Sequence, residues 1–249
     1  MSAVLETRSL RKNFGALTVA DGIDFRLEPG ARHALIGPNG AGKTTFVNML
    51  TGRLLPSSGS IHLEGTEVTR MSQRQRVKRG LGRTFQINTL FRQLTVLDNV
   101  ALAIAERHGV GNRWFRAAAA QRAVIDEAGS VLESLGMNED ARQRVADLPY
   151  GKQRLVEIAI ALGMRPRVLL LDEPAAGVPS VESHRILAVI ESLPKDIAVL
   201  IIEHDMDLVF RVATRITVLA QGALLAEGTP AEIASDSRVK QVYLGERHA

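Results

Sequence analysis

The chain has 249 residues, 45 % hydrophobic and 23 % charged, which is ample for one large core and ordinary for a globular protein. It contains no cysteine, which excludes disulfides, thiolate metal sites and cysteine nucleophiles together. A net charge of +4 with only 4 % aromatic residues gives a mildly basic chain with few platforms for stacking single-stranded nucleic acid.

The first residues, Met1 to Glu6, lack a basic region followed by an apolar stretch, so no export signal is expected and the chain is expected in the cytoplasm. No apolar run approaches the roughly 20 residues of a membrane span. Strands are predicted at Val4 to Leu10, Ile23 to Leu27, Arg32 to Ile36 and Ser60 to Glu64. Between the last two lies Gly37-Pro38-Asn39-Gly40-Ala41-Gly42-Lys43-Thr44, followed by Thr45 and a helical pattern running to Leu54. A glycine-rich turn could precede Lys-Thr for no reason of function. A strand before it and a helix after it, however, are the context of a phosphate-binding loop. Its small residues let backbone N–H groups close around phosphates, with the helix dipole facing them. Lys43 then reaches the β- and γ-phosphates, and the Thr44 hydroxyl can ligate Mg²⁺. The ligand class is a nucleoside triphosphate.

Six cations fall between Arg70 and Arg83 (Arg70, Arg74, Arg76, Lys78, Arg79 and Arg83), and they are expected on the solvated face of an amphipathic helix with Met71 and Val77 turned inward. A nucleic-acid or anionic-membrane footprint is the alternative. From about Val96 to Met164 the pattern is helical, at Ala101 to Glu106, Trp114 to Leu135 and Leu155 to Leu162. The segment Leu148-Pro149-Tyr150-Gly151-Lys152-Gln153-Arg154 opens the last of these, and free N–H groups at a helix start suit a phosphate.

Alternation then returns. Val168 to Leu171 and Ala198 to Ile202 read as parallel strands covered on both faces, each followed by a helical segment. Ile216 to Leu219 and Ala223 to Ala226 read as a hairpin turning through Gln221-Gly222. The first of the two parallel strands delivers Asp172-Glu173-Pro174 at its carboxyl end, where α/β sheets place ligands. Asp172 is positioned to hold Mg²⁺ through its water shell, and Glu173 to orient or deprotonate the water that attacks a γ-phosphate. The expected architecture is α/β, a core holding the phosphate loop with a helical insertion in its middle.

The order of these motifs resembles the ATP-binding cassette (ABC) family over essentially the full length. The residues that carry the resemblance are the loop Gly37 to Thr44, Gln86 in Thr84-Phe85-Gln86, Leu148 to Arg154, Asp172-Glu173, and His204 in Glu203-His204-Asp205. It implies a P-loop ATPase fold with a RecA-like α/β core, an antiparallel β subdomain and an inserted α-helical subdomain. Core and β lobe would span about 1–86 and 166–249, and the helical subdomain about 87–165. Gln86 would join Mg²⁺ and the attacking water to the helical part, His204 would contact the γ-phosphate and steady Glu173, and Phe14 would stack on adenine unless it is a core phenylalanine. Two subunits, identical or related, would sandwich two ATP molecules, each held by Gly37 to Thr45 of one and by Pro149, Tyr150, Gly151, Lys152 and Gln153 of the other.

A narrower resemblance, to ATPases of branched-chain and hydrophobic amino-acid importers, rests on Gly82 to Gln86, Leu90-Phe91-Arg92, Ala175-Ala176-Gly177, Ile202 to Met206, Tyr243 to Glu246 and the stretch Gly109 to Gly136. It implies membrane permease partners docked near Gln86 to Leu94, an indirect substrate-binding protein, a peripheral place on the inner face of the membrane, and no nucleic acid. Lipopolysaccharide export, or a cassette acting on nucleic acid, is the alternative. Two positions depart from the family pattern. Pro149 stands where a serine hydroxyl is usual and has no N–H either, and Pro179 stands where an aspartate is usual.

Overall fold

The computed structural model describes residues 2–84, 90–109 and 118–245. In chain order the elements are β1 (Leu5–Phe14), β2 (Leu17–Leu27), β3 (Arg32–Ile36), α1 (Lys43–Thr51), β4 (Ser58–Leu63), β5 (Thr66–Glu67), α2 (Gln73–Lys78) and β6 (Leu81–Arg83). There follow α3 (Val96–Arg107), α4 (Ala118–Ser134), α5 (Tyr150–Gly163), β7 (Val168–Asp172), α6 (Ser180–Ser192) and β8 (Ala198–Ile202). The chain closes with α7 (Met206–Val212), β9 (Arg215–Ala220), β10 (Ala223–Gly228), α8 (Pro230–Ser235) and α9 (Ser237–Gly245). No helix among the described residues is long and apolar enough to cross a membrane.

The chain divides into two compact units, 1–81 with 167–173 and 193–249, and 82–166 with 174–192. The first unit holds two sheets. One is antiparallel in the order β2-β1-β4-β5, and the other runs β10-β9-β3-β8-β7, with β6 at its edge where the chain leaves the unit. In the second sheet β3 pairs in parallel with β8 and β9, and β7 pairs in parallel with β8. The continuous apolar runs explain this arrangement, since every residue of β3 and β8 is buried and such strands are stable only with both faces covered. Phe25, Phe46, Leu35, Leu170 and Leu200 share one cluster, and Ile36, Val209, Ile216, Val218 and Val239 share another. The second cluster seats α7, α8 and α9, of which the sequence reading anticipated only a helical segment after β8.

In the second unit, α3, α4 and α5 bury Val100, Ile104, Ala128, Leu132, Leu155 and Val156. Glu127 of α4 fastens the ends together by accepting from Arg107 at 2.6 Å and pairing with Arg165 at 2.7 Å.

The basic run departs from its expectation. Arg70, Arg74, Lys78 and Arg79 are exposed, but Arg76 has no solvent exposure at all. Its guanidinium donates to the Met49 and Leu50 carbonyls at 2.6 Å, to Thr69 at 2.8 Å and to Met71 at 3.1 Å. Met49 and Leu50 lie in the last turn of α1, where the carbonyls carry the helix's partial negative charge, and the Met49 carbonyl also accepts from the C-cap Gly52 N–H at 3.1 Å. Arg76 therefore caps the phosphate-loop helix and ties it to the segment after β5. Burial pushes its pKa down to about 10, which still leaves it charged at neutral pH. Arg76→Ala would remove a charged donor from four carbonyls at once, so it is expected to lower the unfolding free energy by about 3 kcal/mol in urea titration. A loss within 0.5 kcal/mol would show that these bonds are dispensable.

Candidate functional site

The phosphate loop leaves β3 at its carboxyl end and enters α1. Gly42 is the N-cap of that helix at φ +97°, and a Cβ there would lie 2.6 Å from the Val19 carbonyl. Only glycine accepts both that dihedral and that approach. Ala41 accepts a bond from Gly222 N at 3.1 Å, so the β9–β10 turn braces the loop from behind. Lys43 Nζ donates to the Gly37 carbonyl and to Pro38 at 2.9 Å, which places the ammonium inside the curve of the loop. Gly37 and Ala41 are buried, Pro38, Lys43 and Thr45 half-buried, and Asn39, Gly40 and Thr44 exposed.

Register brings the other groups to the same edge. Leu35 of β3 pairs with Ile202 of β8, and Ile202 pairs with Asp172 of β7. The loop, the Asp172-Glu173 pair and His204 therefore all emerge at one level. His204 Nδ1 stands 3.5 Å from Glu173 Oε1, an approach that the sequence separation could not show. Glu173 takes φ 47°, a left-handed conformation uncommon for a side chain of this kind, and its N–H donates to the Ile202 carbonyl at 2.9 Å. Such strain, of order 1–3 kcal/mol, persists where surrounding structure imposes it, and it clusters at functional sites.

Phe14 ends β1 with its side chain 50 % exposed, so it is a surface ring rather than a core one. Lys12 Nζ lies 5.1 Å from the ring centroid and donates to the Leu55 carbonyl at 2.9 Å. Gln86 lies outside the described residues.

The segment 149–153 belongs to the second unit. Pro149 is the N-cap of α5 without a side-chain bond. Lys152 pairs with the buried Asp140 at 2.7 Å, and the Gln153 amide turns back to the Leu148 carbonyl at 2.8 Å. Tyr150 is 37 % exposed, and Gly151 N–H donates to Glu182 Oε2 at 3.0 Å.

Three residues had no assigned role in the sequence reading. Lys12 flanks Phe14, Glu182 reaches Gly151, and Glu203 is 2 % exposed with Oε2 3.8 Å from His204 Nδ1. Only Glu203 sits inside a quoted motif. The other two depend on strand pairing and helix packing, which no local spacing announces.

Residues 20–176 match the family described as ABC transporter. The chain belongs to the ABC transporter family. Its cassette binds ATP and hydrolyses it, and the fold is that of the P-loop ABC ATPases. Residues 223–249 also match the family described as branched-chain amino acid ATP-binding cassette transporter. The chain is 38 % identical to the high-affinity branched-chain amino acid transport ATP-binding protein BraF of Pseudomonas aeruginosa, over 98 % of each chain. The corresponding protein LivG of Escherichia coli K12 is likewise 38 % identical over 98 % of each. Among solved structures, the ADP conformation of MJ1267, an ATP-binding cassette of an ABC transporter, matches at 30 % identity with TM-score 0.86, covering 98 % of this chain and all of that one.

Within this ABC cassette the loop geometry predicts that Gly42→Ala weakens ATP binding at least ~10-fold, because the added methyl meets the Val19 carbonyl in a backbone conformation that alanine resists. Equilibrium titration with a fluorescent ATP analogue, alongside circular dichroism as a folding control, checks it. A folded variant with native affinity would contradict the loop's dependence on that residue.

Proposed function

We propose that this chain powers the uptake of branched-chain or related hydrophobic amino acids, as the ATP-hydrolysing subunit of an importer on the inner face of the cell membrane. The observation that carries the reading is that similarity to branched-chain amino-acid cassettes runs over nearly the whole chain and includes its last 27 residues, 223–249. Two copies, or this chain and a related one, sandwich two ATP molecules head to tail. Each nucleotide lies between Gly37 to Thr45 of one subunit and Pro149 to Gln153 of the other, with Phe14 against the adenine. Permease subunits form the membrane path, and a substrate-binding protein delivers cargo to them.

The Thr44 hydroxyl and the Asp172 carboxylate are hard oxygen donors of the type Mg²⁺ prefers, and these two side chains would hold the ion. Bound there, Mg²⁺ would neutralise charge on the transferring phosphoryl group. Glu173 accepts the proton of the attacking water, and His204, beside it, contacts the γ-phosphate and fixes the carboxylate's direction. Gln86 is assigned the sensing of the attacking water. Glu173→Gln is expected to keep ATP binding, slow hydrolysis at least ~100-fold and accumulate an ATP-bound dimer in size-exclusion chromatography. Near-native turnover would remove Glu173 from the mechanism.

The permease contact is assigned to Leu90 and Phe91. Phe91 is 60 % exposed and Leu90 half-buried. The backbone of Phe91 is clamped in both directions by the buried Asn99 amide, which accepts from its N–H at 2.9 Å and donates to its carbonyl at 3.1 Å. A large apolar ring held out on a fixed backbone suits a hydrophobic contact with another protein. Phe91→Ser is expected to abolish amino-acid transport in reconstituted vesicles while leaving the basal ATPase of the isolated subunit within ~2-fold, since the ring is mostly exposed and the backbone bonds to Asn99 remain. Sustained transport would place the permease contact elsewhere.

A further inference from the structure

Helix α5 starts on Pro149, which offers neither a capping hydroxyl nor an N–H, so the first glycine inside the helix carries more of the anion-binding capacity of that end. That glycine is already engaged. Gly151 N–H donates to Glu182 Oε2 at 3.0 Å, from the first turn of α6. The approach is close enough that a Cβ built on Gly151 would fall on that same oxygen and stand 3.0 Å from Glu182 Cβ. Glycine at this position is what admits the carboxylate. The nearby Lys152 is paired with Asp140, and Arg154 with Glu157 at 2.8 Å, so these two cations are directed to carboxylates other than Glu182. A carboxylate on a helix N-terminus makes a charge-assisted bond strengthened by the dipole, which is the same chemistry a phosphate oxygen would use there.

We propose that Glu182 is a positioning residue of the partner-facing phosphate site, an internal stand-in for the γ-phosphate that ATP-driven pairing must displace from Gly151. The proposal rests on the head-to-tail sandwich described above. One N–H cannot serve two anions, and an undisplaced carboxylate would also repel the incoming phosphate. Pairing is therefore opposed until a γ-phosphate, not ADP, competes for the donor. Glu182 lies nine residues after Glu173, in the first turn of the helix that follows the chain's own hydrolytic carboxylate.

The test uses the full chain in the Glu173→Gln background, where turnover is slow enough for sedimentation velocity with ATP and Mg²⁺. Glu182→Gln keeps the shape and removes the charge; Glu182→Ala removes the acceptor. Both are expected to tighten the ATP-dependent dimer roughly five- to thirty-fold, while ATP affinity of the dilute monomer stays unchanged. With Glu173 native, each change should lower the ATP concentration giving half-maximal hydrolysis more than it alters kcat. A role confined to holding α5 against α6 would instead weaken the dimer or leave it unchanged, and either result overturns the proposal. A parent that dimerises with ATP while both variants fail to tighten overturns this inference alone. A parent that forms no ATP-dependent dimer overturns it together with the sandwich.

Discussion

The chemistry depends on the register between β3, β8 and β7. Because Leu35, Ile202 and Asp172 stand side by side, the segments that leave those strands begin at one edge of the sheet. A slip of one residue in β7 would turn Asp172 to the other face and carry Glu173 away from His204. The register is specified because β3 and β8 are wholly buried and β7 buried up to Asp172, so any shift exposes apolar side chains or buries the acidic pair. The same apolar runs that announce the strands in the sequence thus fix the site. Arg76 secures the far end of α1, the helix that begins at the phosphate loop, by donating to the carbonyls of its last turn.

Legibility in the sequence followed the range of the interaction. Arg32 to Ile36 and Ala198 to Ile202 are strands with the expected bounds, and the hairpin through Gln221-Gly222 forms as its turn residues dictate. Continuous apolar runs and punctuating glycines are local signals, and they survive tertiary packing. β5 and β6 were not anticipated, since two or three residues carry no period, and their pairing is decided by neighbours. The cationic stretch misled for a related reason. Helical period places Arg76 on a surface with its neighbours, and nothing local shows four carbonyls converging on it from α1 and from the segment after β5. The loop from Gly37 to Gly42 was readable as a glycine-rich turn between a strand and a helix because its flanks and its glycines are local signals. The contact between His204 and Glu173, and the reach of Glu182 to Gly151, exist only after the chain has folded.

Backbone strain and close approach coincide at Glu173. Glu173 holds a left-handed backbone at the end of β7, fixed by the bond from its N–H to Ile202 in the neighbouring strand. That bond sets where the carboxylate leaves the sheet, and His204, leaving the neighbouring strand, meets it there. Glu203 lies beneath them, nearly inaccessible, with an oxygen facing the same ring nitrogen. Both carboxylates face the same ring nitrogen of a side chain that is itself 66 % exposed, so His204 stays open to a ligand while its Nδ1 edge lies in a field of negative charge.

In the proposed sandwich, the two helix starts assigned to phosphate solve one physical problem in opposite ways. α1 supplies a glycine cap and a lysine whose ammonium lies in the loop, so positive charge is concentrated before any anion arrives. α5 supplies a proline cap and a glycine whose N–H is held by a carboxylate of its own chain, so the positive end of that dipole is already neutralised. The first arrangement favours ATP on a lone subunit. The second gives little attraction to phosphate until the correct ligand displaces Glu182. An ordered sequence follows from this asymmetry, in which nucleotide is captured at the loop first and the partner surface engages second. In the proposed sandwich that order rests on the difference between a lysine and a glutamate at two helix N-termini.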